Sequence, residues 1–156
     1  MNSHPIFKNV ILIGYGNRLR NDDGVGQAVA DAVAAWKLPH VRAIATHQLT
    51  PELVEMLATA DLAIFSDAYS TDTLQIQVQL LEPAPSRMIT GHCCEPQMLL
   101  AIAQLLYGYC PSSWLVKIPA INFSLGDRFS TVAQHGMAQA LKQIEFLILQ
   151  QEVTYA

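Results

Sequence analysis

The residues best able to do chemistry in this 156-residue chain are two aspartates and a histidine, each placed where a short apolar run or its following loop ends. Asp22 and Asp23 come after Val10-Ile11-Leu12-Ile13, Asp67 comes after Leu62 to Ser66, and His92 sits in Gly91-His92-Cys93-Cys94-Glu95 just ahead of a helical stretch. One carboxylate from each acidic position and the imidazole make an O,O,N donor set with open coordination positions. Such a set suits a divalent metal or a metal-bearing ligand and not a closed structural site. Each residue also has a plainer reading. One of Asp22 and Asp23 caps the helix that follows, leaving the other free to point into a cleft. Asp67 is otherwise a turn residue, and His92 alone is a surface or core-edge histidine. Adjacent cysteines point in different directions, so Cys93 and Cys94 do not suit a single ion, and at least one reads as core packing.

Other chemistries fit less well. There is no G-x-S-x-G elbow for a serine hydrolase and no H-E-x-x-H helix for a zinc protease. A thiol protease using Cys93 or Cys94 needs a histidine other than the neighbouring His92. Gly14-x-Gly16 invites a dinucleotide reading, but Leu19 stands in place of the third glycine, and two carboxylates at the helix start repel a pyrophosphate. A nucleotide- or small-ligand-binding α/β module without hydrolytic activity is therefore the competing function.

The elements that must position these residues follow from periodicity. Val10 to Ile13 is a β-branched apolar run of the kind buried on both faces of a parallel sheet. Val25, Val29, Val33 and Trp36 recur at helical spacing until Pro39. Val41 to Thr46 predicts a second strand, Thr50-Pro51-Glu52 an N-cap with proline at N1, and Leu53, Met56 and Leu57 a short helix. Leu62 to Ser66 predicts a third strand. Leu74 to Leu81 alternates glutamine with aliphatic residues, as expected of a half-wet edge strand. Pro96 opens a helix with Leu99, Ile102, Leu105 and Leu106 facing the core, Trp114 to Ile118 predicts a fifth strand, and Thr131 to Gln150 a last helix with Ala133, Met137, Leu141, Ile144 and Ile148 on its stripe. Strands alternating with helices predict a three-layer α/β/α sandwich with a mostly parallel sheet, in one domain spanning residues 1–156. Ligands of such sheets lie beyond the carboxyl ends of the strands, which is where Asn17, Asp22, Asp23, His47, Gln48 and Asp67 are expected.

Composition narrows the partners. Half the residues are hydrophobic (51%) and few are charged (14%), so the chain can bury a core. The net charge of -4, with no Lys/Arg cluster, argues against nucleic acid. Gln97, Gln104, Gly108, Pro111, Ser112 and Ser113 interrupt the uncharged stretch from Pro96 to Val116, which reads as helix, turn and strand instead of a membrane span. MNSHPIFKNV lacks the pattern of a secretory signal, and three cysteines make neither a disulfide framework nor zinc knuckles, so a reducing cytoplasm is expected.

The string Ile13-Gly14-Tyr15-Gly16-Asn17-Arg18-Leu19-Arg20-Asn21-Asp22-Asp23-Gly24-Val25-Gly26 resembles the opening motif of the [NiFe]-hydrogenase maturation endopeptidases. Phe65-Ser66-Asp67-Ala68 and Thr90-Gly91-His92 resemble two further landmarks of that family, in the same order and at similar spacing. The resemblance implies a mixed five-stranded sheet whose fourth strand is antiparallel at an edge. It also implies an endopeptidase that removes the C-terminal extension of a hydrogenase large-subunit precursor after nickel insertion. The residues it places against the substrate-borne nickel are Asp23, Asp67 and His92. Because these come from three separate loops, two of them are hard carboxylates, and no H-E-x-x-H helix is present, no tightly bound metal of the enzyme's own is expected. Some family members carry Glu at the position of Asp23, so Asp22 is the alternative acidic residue. Gly14, Gly16, Gly24 and Gly26 are expected to keep the loop compact, with Asn17 in a left-handed conformation. His47-Gln48-Leu49-Thr50-Pro51-Glu52 resembles the subgroup acting on bidirectional, NAD(P)-linked hydrogenases.

Overall fold

The computed structural model of the chain describes residues 2–85 and 95–154, with side chains described over 6–85 and 95–150. Five strands form the main sheet: β2 (Val10–Tyr15), β3 (Val41–Thr46), β4 (Leu62–Ser70), β5 (Gln77–Leu81) and β6 (Ser112–Ala120). Their order is β3-β2-β4-β6-β5, parallel except for the antiparallel β5–β6 pair at one edge. The helices are α1 (Val25–Ala34), α2 (Leu53–Leu57), α3 (Pro96–Tyr107) and α4 (Thr131–Ile148). This is the α/β sheet, mostly parallel, that the alternating elements predict, and its antiparallel edge strand, here β5, is the one the resemblance implies. A further pair, β1 (Asn2–Pro5) with β7 (Gln151–Thr154), closes the two ends of the chain as an antiparallel ribbon. No patterning announced it, because neither four-residue segment alternates apolar with polar residues.

Alternation along the central strands divides the core. Val10 and Leu12 of β2, with Leu62 and Ile64 of β4, pack against Val25, Val29 and Val33 of α1 and Ala140 and Ile144 of α4. Ile11, Ile13, Ala63 and Phe65 face the other way, onto Leu53 and Leu57 of α2 and Leu99 and Leu100 of α3. Each aliphatic side chain so enclosed is worth roughly 1.5–3 kcal/mol, and the layers on both faces explain why β2 and β4 are continuous apolar runs.

Several boundaries differ from expectation. β4 runs on to Ser70 because β6 continues to pair with it as far as Ala120, so Asp67 lies inside the strand and not after it. Only Gln77–Leu81 of the expected Leu74–Leu81 strand pairs with β6. α2 begins at Leu53 with Glu52 at its N-cap and no side-chain cap, so Thr50 and Pro51 form a turn ahead of it. α1 stops at Ala34, and Lys37 takes a positive φ of 54° before Pro39. On α3 the buried residues include Met98, Leu99, Leu100 and Ala103, while Leu105 and Leu106 are exposed. The buried face of that helix ends at Ala103, so the leucines of its last turn do not join the core as expected. On α4 the expected stripe packs inward, joined by Gly136 and Leu147. Among the described residues no helix is long and apolar enough to cross a membrane.

Candidate active site

The carboxyl ends of β2 and β4 form the floor of the site. Gly26, near the start of α1, packs where an added Cβ would stand 2.5 Å from the carbonyl oxygens of both Tyr15 and Ser66, and the Ser66 hydroxyl donates to the Gly26 carbonyl at 2.9 Å. This seats the helix start directly on the two strand ends. Gly16, with φ of 140°, turns the chain so tightly that its own Cβ position is filled by the Asp23 carbonyl. The turn aims Asp23 back across the loop, where its Oδ2 accepts from the Asn17 backbone N–H at 2.8 Å.

Asp23 and Asp67 are half-buried and close enough for Asp23 to raise the proton affinity of Asp67. Burial is the larger cause. Together, against the Ala68 N–H, the Tyr15 hydroxyl and the Lys117 ammonium, they lift the Asp67 carboxyl from 3.8 to about 6. Tyr15 ends β2 and faces Asp67; burial first, then the two carboxyls Asp67 and Glu95, push its phenol upward, so it remains a neutral donor. Lys117 stands opposite Asp67 in the β4–β6 register, and its Nζ lies 5.9 Å above the Tyr69 ring. Two carboxylates sharing a partly dehydrated mouth, with one lysine nearby, form a site short of positive charge. A cation bound there relieves both the burial and the mutual repulsion.

Asp22 is placed elsewhere. It has no exposed surface, and its carboxylate accepts from the N–H groups of Ile121 (2.9 Å), Asn122 (3.1 Å) and Ser130 (2.7 Å) and from the Ser130 hydroxyl (2.7 Å). Enclosure by itself would raise its proton affinity, but these four donors outweigh that and hold the carboxyl below its ordinary value. Neither aspartate caps α1, whose N-cap is Gly24 with no side-chain bond, because residues 21–24 form a 3-10 turn that carries both carboxylates away from the α1 amides. Asn17 does not take the left-handed conformation expected of it. Asn21 does (φ 47°), with its side chain bonded to Ser124 and to the Arg128 N–H.

His47 and Gln48 are exposed beyond β3. His92, Cys93 and Cys94 lie outside the described residues, and among the described residues no three His, Cys, Asp or Glu side chains form a metal-holding group. Sequence reasoning missed Tyr15, Asn21, Lys117 and Ser130. Ser130 had a signal, a serine directly before the helical pattern, and it does cap α4 by accepting from the Ala133 N–H at 3.1 Å. The other three acquire their roles only through cross-strand or cross-loop neighbours.

No protein-family model matches the chain, and no curated protein matches its sequence. Its structural neighbours are hydrogenase maturation proteases. A [NiFe] hydrogenase maturation protease HycI from Thermococcus kodakarensis superposes with a TM-score of 0.71 at 17% identity, over 93% of this chain and 95% of that one. The hydrogenase maturating endopeptidase HybD from E. coli gives 0.71 at 18% identity, over 89% and 91%. A hydrogenase 2 maturation peptidase from a Thaumarchaeota archaeon gives 0.66 at 21% identity, over 91% and 99%. At these identities the likeness establishes the fold.

Proposed function

We propose that this chain is a hydrogenase maturation endopeptidase of the [NiFe] family, acting in the cytoplasm on the large-subunit precursor and removing its C-terminal extension once nickel is in place. The observation that carries the reading is the pairing of Asp23, in the loop after β2, with Asp67, within β4, in a fold shared with maturation proteases. Asp23, Asp67 and His92 are the residues assigned to the substrate-borne nickel. The two carboxylates offer it hard oxygen ligands and the imidazole a nitrogen, with positions left for the substrate. The nickel would act as a Lewis acid beside the scissile carbonyl, and a carboxylate released from it would serve as general base. Because these ligands come from separate segments and two of them are hard carboxylates, their affinity for a free ion is expected to be modest until the substrate supplies further ligands, so the protein is expected to carry no tightly bound metal of its own. An empty precursor cannot complete the coordination shell, which couples cutting to correct metal loading.

The test is to incubate the purified chain with nickel-loaded and nickel-free precursor. Loss of the tail from the loaded form alone, with well under one equivalent of nickel or zinc in the purified chain, is the expected result. Stoichiometric zinc whose removal abolishes cutting, restored by zinc alone, would make this a conventional metalloprotease. A loaded precursor that keeps its tail would leave a ligand-binding module without hydrolytic activity.

A further inference from the structure

Beside the candidate site, two loops that are distant in sequence are fastened into one surface. Arg20 and Gly126 form a parallel bridge, in which the Gly126 N–H donates to the Leu19 carbonyl and the Asn21 N–H to the Gly126 carbonyl, both at 2.8 Å. Beneath it, buried Asn21 and Asp22 bond to residues 121–130, so the arrangement is rigid before any partner arrives. Such a frame would ordinarily fold apolar side chains inward. Here it holds them out: Leu19 and Leu125, each one residue before the bridged pair, are 69% and 85% exposed, and Ile121 is 57% exposed.

We infer that Leu19, Leu125 and Ile121 form a preorganised docking platform for apolar side chains of the precursor polypeptide. This rests on the endopeptidase reading, and the occupant follows from continuity with that site. Leu19 donates its N–H to Asn17 Oδ1, and the Asn17 N–H donates to Asp23 Oδ2, so a single short loop carries both the exposed leucine and the carboxylate. A chain seated on the leucines is thereby brought to the Asp23–Asp67 mouth. The fixed loops spare the complex the entropy of ordering them, so less of the apolar gain is lost on binding.

Steady-state processing of nickel-loaded precursor is compared for the wild type, Leu19→Ser/Leu125→Ser and Leu106→Ser, the last an equally bare leucine (67% exposed) on α3. The double variant is expected to raise KM by about tenfold or more with kcat within about twofold, and Leu106→Ser to change neither. Circular dichroism and thermal melting check folding, and Leu125→Ser alone serves if the double variant does not fold. An unchanged KM in the platform variants, or an equal rise with Leu106→Ser, overturns the inference while leaving the endopeptidase reading standing. If the wild type itself does not cut, that reading fails, and the affinity of precursor for wild-type and platform-variant protein then decides: equal affinities overturn the platform as well.

Discussion

Asp22 and Asp67 carry the same side chain near the same end of the sheet, yet their surroundings act on it in opposite directions. At the joint between the loop after β2 and the loop after β6, Asp22 is fully enclosed and meets four donors, so its charge is welcome and its proton affinity falls. At the mouth, Asp67 is partly enclosed beside another carboxylate, and its proton affinity rises to about 6. A carboxylate whose donors are all supplied by the fold belongs to the architecture. One left short of positive charge has something still to bind, and the fold bears the strain of keeping it.

The largest expected effect breaks the joint. Asp22→Asn turns an amide N–H toward donors that have no other acceptor and is expected to cost about 3 kcal/mol in urea unfolding at neutral pH. Because folding lowers the proton affinity of Asp22, its contribution is present above the ordinary carboxyl value and fades as pH falls through and below it, so the variant should also lose part of the acid limb of the stability profile. An Asp22→Asn protein of full stability that no longer processes precursor would erase the contrast and move the acidic role one residue earlier.

The next effect has the opposite sign. Folding raises the Asp67 carboxyl from 3.8 to about 6, so its ionisation works against the fold, progressively as pH rises across that interval and fully above it. At 1.36 kcal/mol per pH unit the gap bounds the effect at about 3 kcal/mol, and partial exposure reduces it to about 2. Asp67→Asn is therefore expected to stabilise the protein at pH 7 to 8 and to match it below about pH 4, while processing is lost. Thermal melting across pH measures this, and no gain at neutral pH would show that the mouth is not short of positive charge.

The smallest stability change belongs to Asp23→Asn. Its one backbone bond, from the Asn17 N–H, can be kept by the amide oxygen, so less than about 1 kcal/mol is expected, with processing abolished. Parallel unfolding and cleavage assays on the three variants sort Asp22 from the Asp23–Asp67 pair.

Much of the architecture was present in the order of residues. Apolar runs at Val10 and Leu62 specify strands covered on both faces, the glutamines at 77 and 79 specify an edge, and the helical stripe from Ala133 to Ile148 needs only its own spacing. These are local patterns, and burial periodicity carries them. The acidic candidates were legible too, as aspartates near strand ends. What separates Asp22 from its neighbour Asp23 was not, because the difference lies in amides of Ile121, Asn122 and Ser130, about a hundred residues away. The same holds for Leu105 and Leu106, apolar by type and helical by spacing, which the fold leaves bare in the last turn of α3. The raised Asp67 carboxyl likewise depends on burial and on Asp23 arriving from another segment, acting against the Tyr15 hydroxyl and the Lys117 ammonium. Residue type sets which groups can ionise or bind, and only the closed tertiary fold decides how much water, which donors and which charges each of them finally meets.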